Sequence, residues 1–257
     1  MRHSPRTTSE DVQMIFGIRA VSEAIEAGKE IDRMFVQEGL QSATFNDLRK
    51  VCRENDLHFS MVPIYKLNKI APGKNHQGVV AFLSAVTYYK IETLLPTIFE
   101  KGKSPLVLVL DRITDVRNFG AIARSAECAG VDAIIIPSRG AAQINGDAIK
   151  TSAGALHKIP VCKEDNLKNT LDFLKNSGLT IAACTEKGSV PYYKGDLSAP
   201  LAIIMGSEED GISAEYLKKA AVKVLVPMQG TISSLNVSVA TGVILFEVLR
   251  QRELASK

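Results

Sequence analysis

The sequence is poor in the groups that carry metal, redox or nucleophilic chemistry. Its 257 residues include only four cysteines and four histidines. Cys52, Cys128, Cys162 and Cys184 form no Cys-x-x-Cys pair, which excludes the signatures of a zinc cage and of a thioredoxin-type redox site and leaves them to be read as small buried hydrophobes. None of His3, His58, His76 and His157 stands at a metal-ligand spacing from another, and no metal is expected. No Gly-x-Gly occurs, so the dinucleotide fingerprint is absent. Gly102-Lys103-Ser104 ends like a phosphate loop, yet Thr97 stands where the first glycine belongs. Ser207 lies in Met-Gly-Ser-Glu-Glu rather than a nucleophile elbow, which leaves a hydrolase triad with little support.

Long hydrophobic runs are missing as well, and no segment approaches the length needed to cross a bilayer. Met1 to Gln13 are polar and mixed in charge, read as a disordered tail without a secretory signal, and a cytoplasmic setting is expected. Asn236-Val237-Ser238 matches a glycosylation acceptor, an accidental match in that setting. A net charge of +3 permits an anionic partner without demanding one. Apolar residues at 46% and charged residues at 23% describe an ordinary globular protein, long enough for two domains.

Residues 14–84 read as a compact α/β module. Strands are expected at Ile31 to Gln37, His58 to Pro63 and Gly78 to Leu83, with Phe45, Leu48, Val51 and Cys52 at helical spacing between the first two. Residues 85–104, broken by Tyr, Lys, Thr, Pro and Gly apart from a short helical pattern around Ile91 to Phe99, read as a linker. From 105 to 257, apolar strands at Leu106 to Leu110, Ala133 to Ile136, Thr180 to Cys184, Leu201 to Met205 and Val222 to Val226 alternate with amphipathic segments. Strands apolar throughout belong to a parallel sheet covered on both faces. The last helix, about Leu235 to Arg252, is apolar on more than one side, and is expected to be buried within the domain or against a second copy.

Two glycine-marked loops leave buried strands in the last third: Gly206-Ser207-Glu208-Glu209-Asp210-Gly211, and Val226-Pro227-Met228-Gln229-Gly230 running to Ser233-Ser234-Leu235-Asn236. Such loops let main chain approach a small molecule closely. A third segment, Asp111 to Gly120, follows the first strand of the second domain and runs into a helix carrying Arg124, at the carboxyl end of a parallel strand where ligands bind in open α/β sheets.

Asn118-Phe119-Gly120-Ala121-Ile122-Ala123-Arg124, then Met205 to Gly211, then Val226-Pro227-Met228 to Ser234-Leu235-Asn236-Val237-Ser238 with Glu247 and Arg250-Gln251, resemble the three ordered motifs of the SpoU family of RNA ribose 2'-O-methyltransferases, in the SPOUT superfamily. Phe16-Gly17-Ile18-Arg19-Ala20-Val21 and His76-Gln77-Gly78-Val79-Val80-Ala81 resemble the ends of that family's accessory RNA-binding domain. Arg19 stands where many relatives have His. The branch most similar methylates a guanosine of large-subunit ribosomal RNA, with transfer RNA and a catalytically silent RNA-binding protein as alternatives.

The resemblance implies an α/β fold whose parallel-sheet C-terminal domain carries a deep trefoil knot, a smaller N-terminal RNA-binding domain, a homodimer, and S-adenosylmethionine as methyl donor. It implies Arg124, Asn118, Glu208, Ser234 and Asn236 as catalytic residues. Gly206, Val226, Met228 and Leu235 would bind the cofactor, with Thr185 a neighbour. Arg124 would handle the proton of the ribose hydroxyl, although a guanidinium with a pKa above about 12 also suits a fixed grip on phosphate. Read as local structure instead, Asn118 and Ser234 stand where helix N-caps are expected, Glu208 is a solvated loop carboxylate and Asn236 a first-turn residue.

Overall fold

The structure, a computed structural model, describes residues 14–188 and 190–255. The tail expected over residues 1–13 lies outside the described residues. The described chain divides into two compact units, 14–87 with Ile144–Gly146, and Tyr88–Gln143 with 147–255.

The first unit is built from β1 (Met14–Phe16), α1 (Ile18–Glu26), β2 (Ile31–Gln37), α2 (Ala43–Glu54), β3 (Ser60–Val62), α3 (Ile64–Ile70) and β4 (Val79–Leu83). Its sheet runs β1-β4-β2-β3, antiparallel except for the parallel β2–β3 pair. Strand alternation sends Val79 and Ala81 to one face and Val80 to the other. On the first face lie Ile18, Val21 and Ile25 of α1 and Phe45, Leu48 and Cys52 of α2. The Ser42 side chain caps α2 by accepting from Phe45 N at 3.1 Å. On the other face Leu67 and Ala71 close over Val62 and Val80.

The second unit comprises β5 (Tyr88–Tyr89), α4 (Ile91–Glu100), β6 (Leu106–Asp111), α5 (Val116–Cys128), β7 (Ala133–Pro137), α6 (Gly146–Thr151), β8 (Val161–Glu164), α7 (Leu167–Asn176), β9 (Thr180–Cys184), β10 (Val190–Pro191), β11 (Leu201–Gly206), α8 (Ala214–Leu217), β12 (Val222–Leu225) and α9 (Val237–Ala255). Its sheet is parallel in every pair, in the order β10-β12-β9-β11-β6-β7-β8-β5. All six residues of β6 are buried, as a central strand covered on both faces requires.

The stretch read as a linker is largely built into this unit. β5 pairs with β8, and Ile91, Leu95 and Ile98 of α4 enter the core beside Val107, Val109 and Ile135. The polar residues and Pro96 obscured a buried stripe of i, i+4, i+7 spacing. The cysteines also differ from their expectation: Cys52 and Cys162 are buried, Cys184 is half-buried and Cys128 is exposed on α5. No helix among the described residues is long and apolar enough to cross a membrane.

β6 and β11 set the position of the site. They pair in register from Leu106↔Leu201 to Asp111↔Gly206, so the loops that follow both strands emerge side by side at the carboxyl edge. α5, which starts after the first of these loops, packs against α9, which starts after the coil that follows β12.

Candidate functional site

The loop after β11 folds tightly on itself. Gly211 N donates to Ser207 O at 3.0 Å and Asp210 N to Ser207 Oγ at 3.1 Å. A Cβ on Gly206 would stand 2.2 Å from Gly211 C and 2.4 Å from its oxygen, closer than real contacts allow, so only glycine fits there. Gly211 turns the chain at φ +66°. Gly120 has a comparable role in α5, where a Cβ would meet Ala148 O and Thr151 Cβ at 2.8 Å. The glycines of two motifs thus mark close backbone approaches.

Glu208, on this loop, joins the three motifs. Its Oε1 accepts from Asn236 Nδ2 at 2.7 Å, Asn118 Nδ2 at 3.2 Å and the backbone N of Val237 at 3.2 Å. Asn236 Nδ2 also donates to Asn118 Oδ1 at 2.9 Å. The carboxylate therefore sits at the start of α9, where the helix dipole and unpaired N–H groups favour negative charge. It is not a free loop carboxylate.

The capping pattern differs from expectation in two places. Asp115 caps α5 by accepting from Asn118 N at 2.7 Å, which leaves the Asn118 amide on the first turn, free to face Glu208. At α9 the cap is Asn236, whose Oδ1 accepts from Ser238 N at 2.9 Å while its carbonyl accepts from Ala240 N at 2.9 Å. Ser234 lies two residues before that cap.

A cleft of about 440 Å³ opens beside Glu208. Gly206, Val226, Met228, Leu235 and Thr185 all line it, together with Ser234 and Glu208. Its apolar walls include Met205, Leu217, Val226, Met228 and Leu235. Its charged lining is Glu186, Glu208, Glu209 and Asp210 against Lys187, an excess of carboxylates that suits a cationic guest. Cys184 forms part of the floor, and burial pushes its thiol up to about 11. A second cleft of about 420 Å³ shares Ser207, Glu208, Glu209, Asp210 and Val237 and is completed by Arg112, Thr114, Asp115 and Asn118, so Glu208 stands between two hollows.

Arg124 is not brought into this group. It lies exposed on α5, six residues beyond Asn118, which on a helix means about 9 Å along the axis and a different side. It lines neither cleft. Sequence reasoning missed the residues that hold the loop: Asp111, Arg112 and Ser213. Asp111 is buried and accepts from both Ser213 N and Ser213 Oγ at 2.7 Å. Arg112 bonds Asp111, and that hydrogen bond raises its own pKa further.

The SpoU rRNA Methylase family matches residues 105–246, and a family described as RNA 2'-O ribose methyltransferase substrate binding matches 14–89. A protein of Staphylococcus saprophyticus named for the TrmH family of tRNA/rRNA methyltransferases is 34% identical over 239 residues, 93% of this chain and 96% of its own. A crystal structure described as an RNA 2'-O ribose methyltransferase is 28% identical with a TM-score of 0.56, covering 95% of this chain and 90% of that one. The SpoU methyltransferase AviRb from Streptomyces viridochromogenes, solved in complex with the cofactor AdoMet, shares the fold at 23% identity and a TM-score of 0.60, over 94% of this chain and 90% of that one. With a family match over more than half its length and a relative aligned almost end to end, the chain belongs to the SpoU family of RNA methyltransferases.

Proposed function

We propose that this enzyme transfers a methyl group from S-adenosylmethionine to a ribose 2'-hydroxyl of RNA, with a guanosine of large-subunit ribosomal RNA as the target. The observation that carries the reading is the meeting of Asn118, Glu208 and Asn236 at a cleft walled by Gly206, Val226, Met228 and Leu235. The donor fits that cleft chemically. Apolar side chains suit the faces of an adenine, main chain of the lining would read its edge, and the carboxylate excess suits a sulfonium and an ammonium group. When bound, the cofactor supplies a methyl group already activated by a cationic sulfur.

The chain's own task is alignment. A ribose hydroxyl is a weak nucleophile at neutral pH, so it must be held in line with the methyl group while its proton leaves. Glu208 fixes both asparagine amides, and Ser234 adds a hydroxyl on the cleft wall. Arg124, outside the clefts of its own chain, grips the phosphate beside the target ribose and assists removal of the hydroxyl proton. Residues 14–84 bind the RNA, a role supported by the substrate-binding family match.

In the same reading the catalytic domain is a deep trefoil knot and the protein a homodimer. The knot is supported by β11 lying between β6 and β9 while α9, reached through the coil after β12, returns against α5. The homodimer is supported by α9, which leaves Val239 and Phe246 half exposed, at 52% and 51%.

The test is labelled S-adenosylmethionine offered with separated ribosomal and transfer RNA, followed by mapping of the modified ribose. Label on a large-subunit ribosomal guanosine is expected. Label in transfer RNA alone moves the substrate to the other class named for the staphylococcal relative. No label in any RNA despite donor binding overturns the enzyme reading. Arg124→Ala is expected to lower turnover by about 100-fold or more, the scale of a lost proton-transfer or positioning group. Unchanged turnover removes Arg124 from the site.

A further inference from the structure

Arg112 follows β6 directly and holds its backbone at φ +58°, a left-handed conformation that long side chains rarely adopt. Its neighbour on the adjacent strand is Gly206, paired with Asp111, so a guanidinium leaving β6 at this point can reach the loop after β11. Nε donates to Asp111 Oδ1 at 3.1 Å, Nη1 to Asp210 Oδ2 at 2.9 Å and Nη2 to Gly211 O at 3.1 Å. Asp111 in turn holds Ser213 by two hydrogen bonds of 2.7 Å. One buried carboxylate and one guanidinium thereby grip the loop at 210, 211 and 213, either side of its turn at Gly211.

We infer that Arg112 is a positioning residue for the methyl donor, an inference that rests on the cofactor reading of the cleft. It acts through the part of the loop it holds: Asp210, Gly211 and Ile212 line the cleft, while Glu208 is anchored separately by Asn118, Asn236 and Val237 N. Direct capture of an RNA phosphate by Arg112 is disfavoured, because Asp111 and Asp210 already neutralise the guanidinium and would repel a further anion. A fork-shaped cation is suited to this task, since it bonds two carboxylates and a carbonyl at fixed angles.

The experiment is calorimetric titration of the full chain with S-adenosylmethionine, with steady-state kinetics at varied donor. Arg112→Ala is expected to weaken donor binding about tenfold or more, the scale of a lost charge-assisted bond. KM for the donor rises in step while kcat at saturation stays within about twofold, the signature of lost ground-state binding. Arg112→Gly, which removes the backbone strain but also the fork, is expected to lose as much, and Arg112→Lys to recover only part. Asp210 is 67% exposed in its side chain, so Asp210→Ala removes one arm of the grip with little risk to the fold and is expected to weaken binding severalfold. Wild-type affinity in Arg112→Gly overturns the inference, as does an unchanged donor affinity in Asp210→Ala should Arg112→Ala fail to fold. A wild-type chain that does not bind the donor overturns the cofactor reading itself, an outcome visible before any variant is compared.

Discussion

The two walls of the cleft are made differently. The wall after β11 is tied internally by Ser207, packed glycine against glycine at 206 and 211, and held from outside by Arg112 and Asp111. The wall formed by the coil 226–236 lacks regular structure, and residues 229–236 are exposed, with Ile232 at 76% and Leu235 at 37%. Interactions already present in the free protein cost nothing further when a ligand arrives, whereas exposed apolar side chains on a coil gain their burial only from the ligand. In the proposed reading the first wall sets where the donor sits, and the second sets how tightly it is enclosed.

The comparison is broken most severely at Gly206. Gly206→Val places a branched side chain where even a Cβ lies 2.2 Å from Gly211 C, and donor affinity is expected to fall by at least about 100-fold, because a packed backbone contact cannot yield as a flexible side chain can. Tight binding by this variant in calorimetry refutes the fixed wall. Leu235→Ala tests the other wall. Donor binding is expected to weaken by about three- to tenfold, on the order of 1 kcal/mol of apolar contact, with the thermal midpoint lowered less than for a fully buried leucine because Leu235 is 37% exposed in the free protein. A large drop in midpoint with unchanged affinity would make Leu235 a core residue instead.

The smallest effect concerns the floor. With its thiol pushed up to about 11 by burial, Cys184 stays protonated near neutral pH, and thiolate is the reactive form. Alkylation at pH 8 is expected to be slow at Cys184 relative to exposed Cys128, to accelerate as pH climbs towards 11, and to be slowed again by bound donor, as read by peptide mass spectrometry. The sign for stability follows: a raised pKa leaves the contribution of Cys184 intact below its unfolded value and removes it as pH rises through the folded one. Equal labelling of both cysteines at pH 8 would mean a floor open to solvent.

Much of this was readable from the residues. The parallel sheet was legible because β6, β7, β9 and β11 are apolar at nearly every position, apart from Asp111 and Thr180 at strand ends, a pattern few other environments produce. β8, of four residues, and α3, of seven with only Leu67 buried along its length, were not. α4 was hidden by its proline and polar neighbours, since a linker and a docked helix differ in what they touch rather than in composition. At the site, the motif residues Asn118, Glu208 and Asn236 were legible as a set, but their partners were not. Asp115 rather than Asn118 caps α5, because side-chain direction at a helix start depends on where the first turn begins. Arg112 left no signal, since nothing in its neighbours reveals a left-handed backbone or a partner 98 residues away.

The glycine pair at 206 and 211 has a consequence for altering what the enzyme transfers. Gly206 cannot be enlarged, Gly211 turns the chain at a positive φ that side chains rarely adopt, and neither offers a side chain to trim, so in the proposed reading room for a donor bearing a longer alkyl chain has to come from the opposite bank, by shortening Met228 or Leu235. Engineering towards unnatural alkylation of RNA would start from that coil and leave the hairpin after β11 untouched.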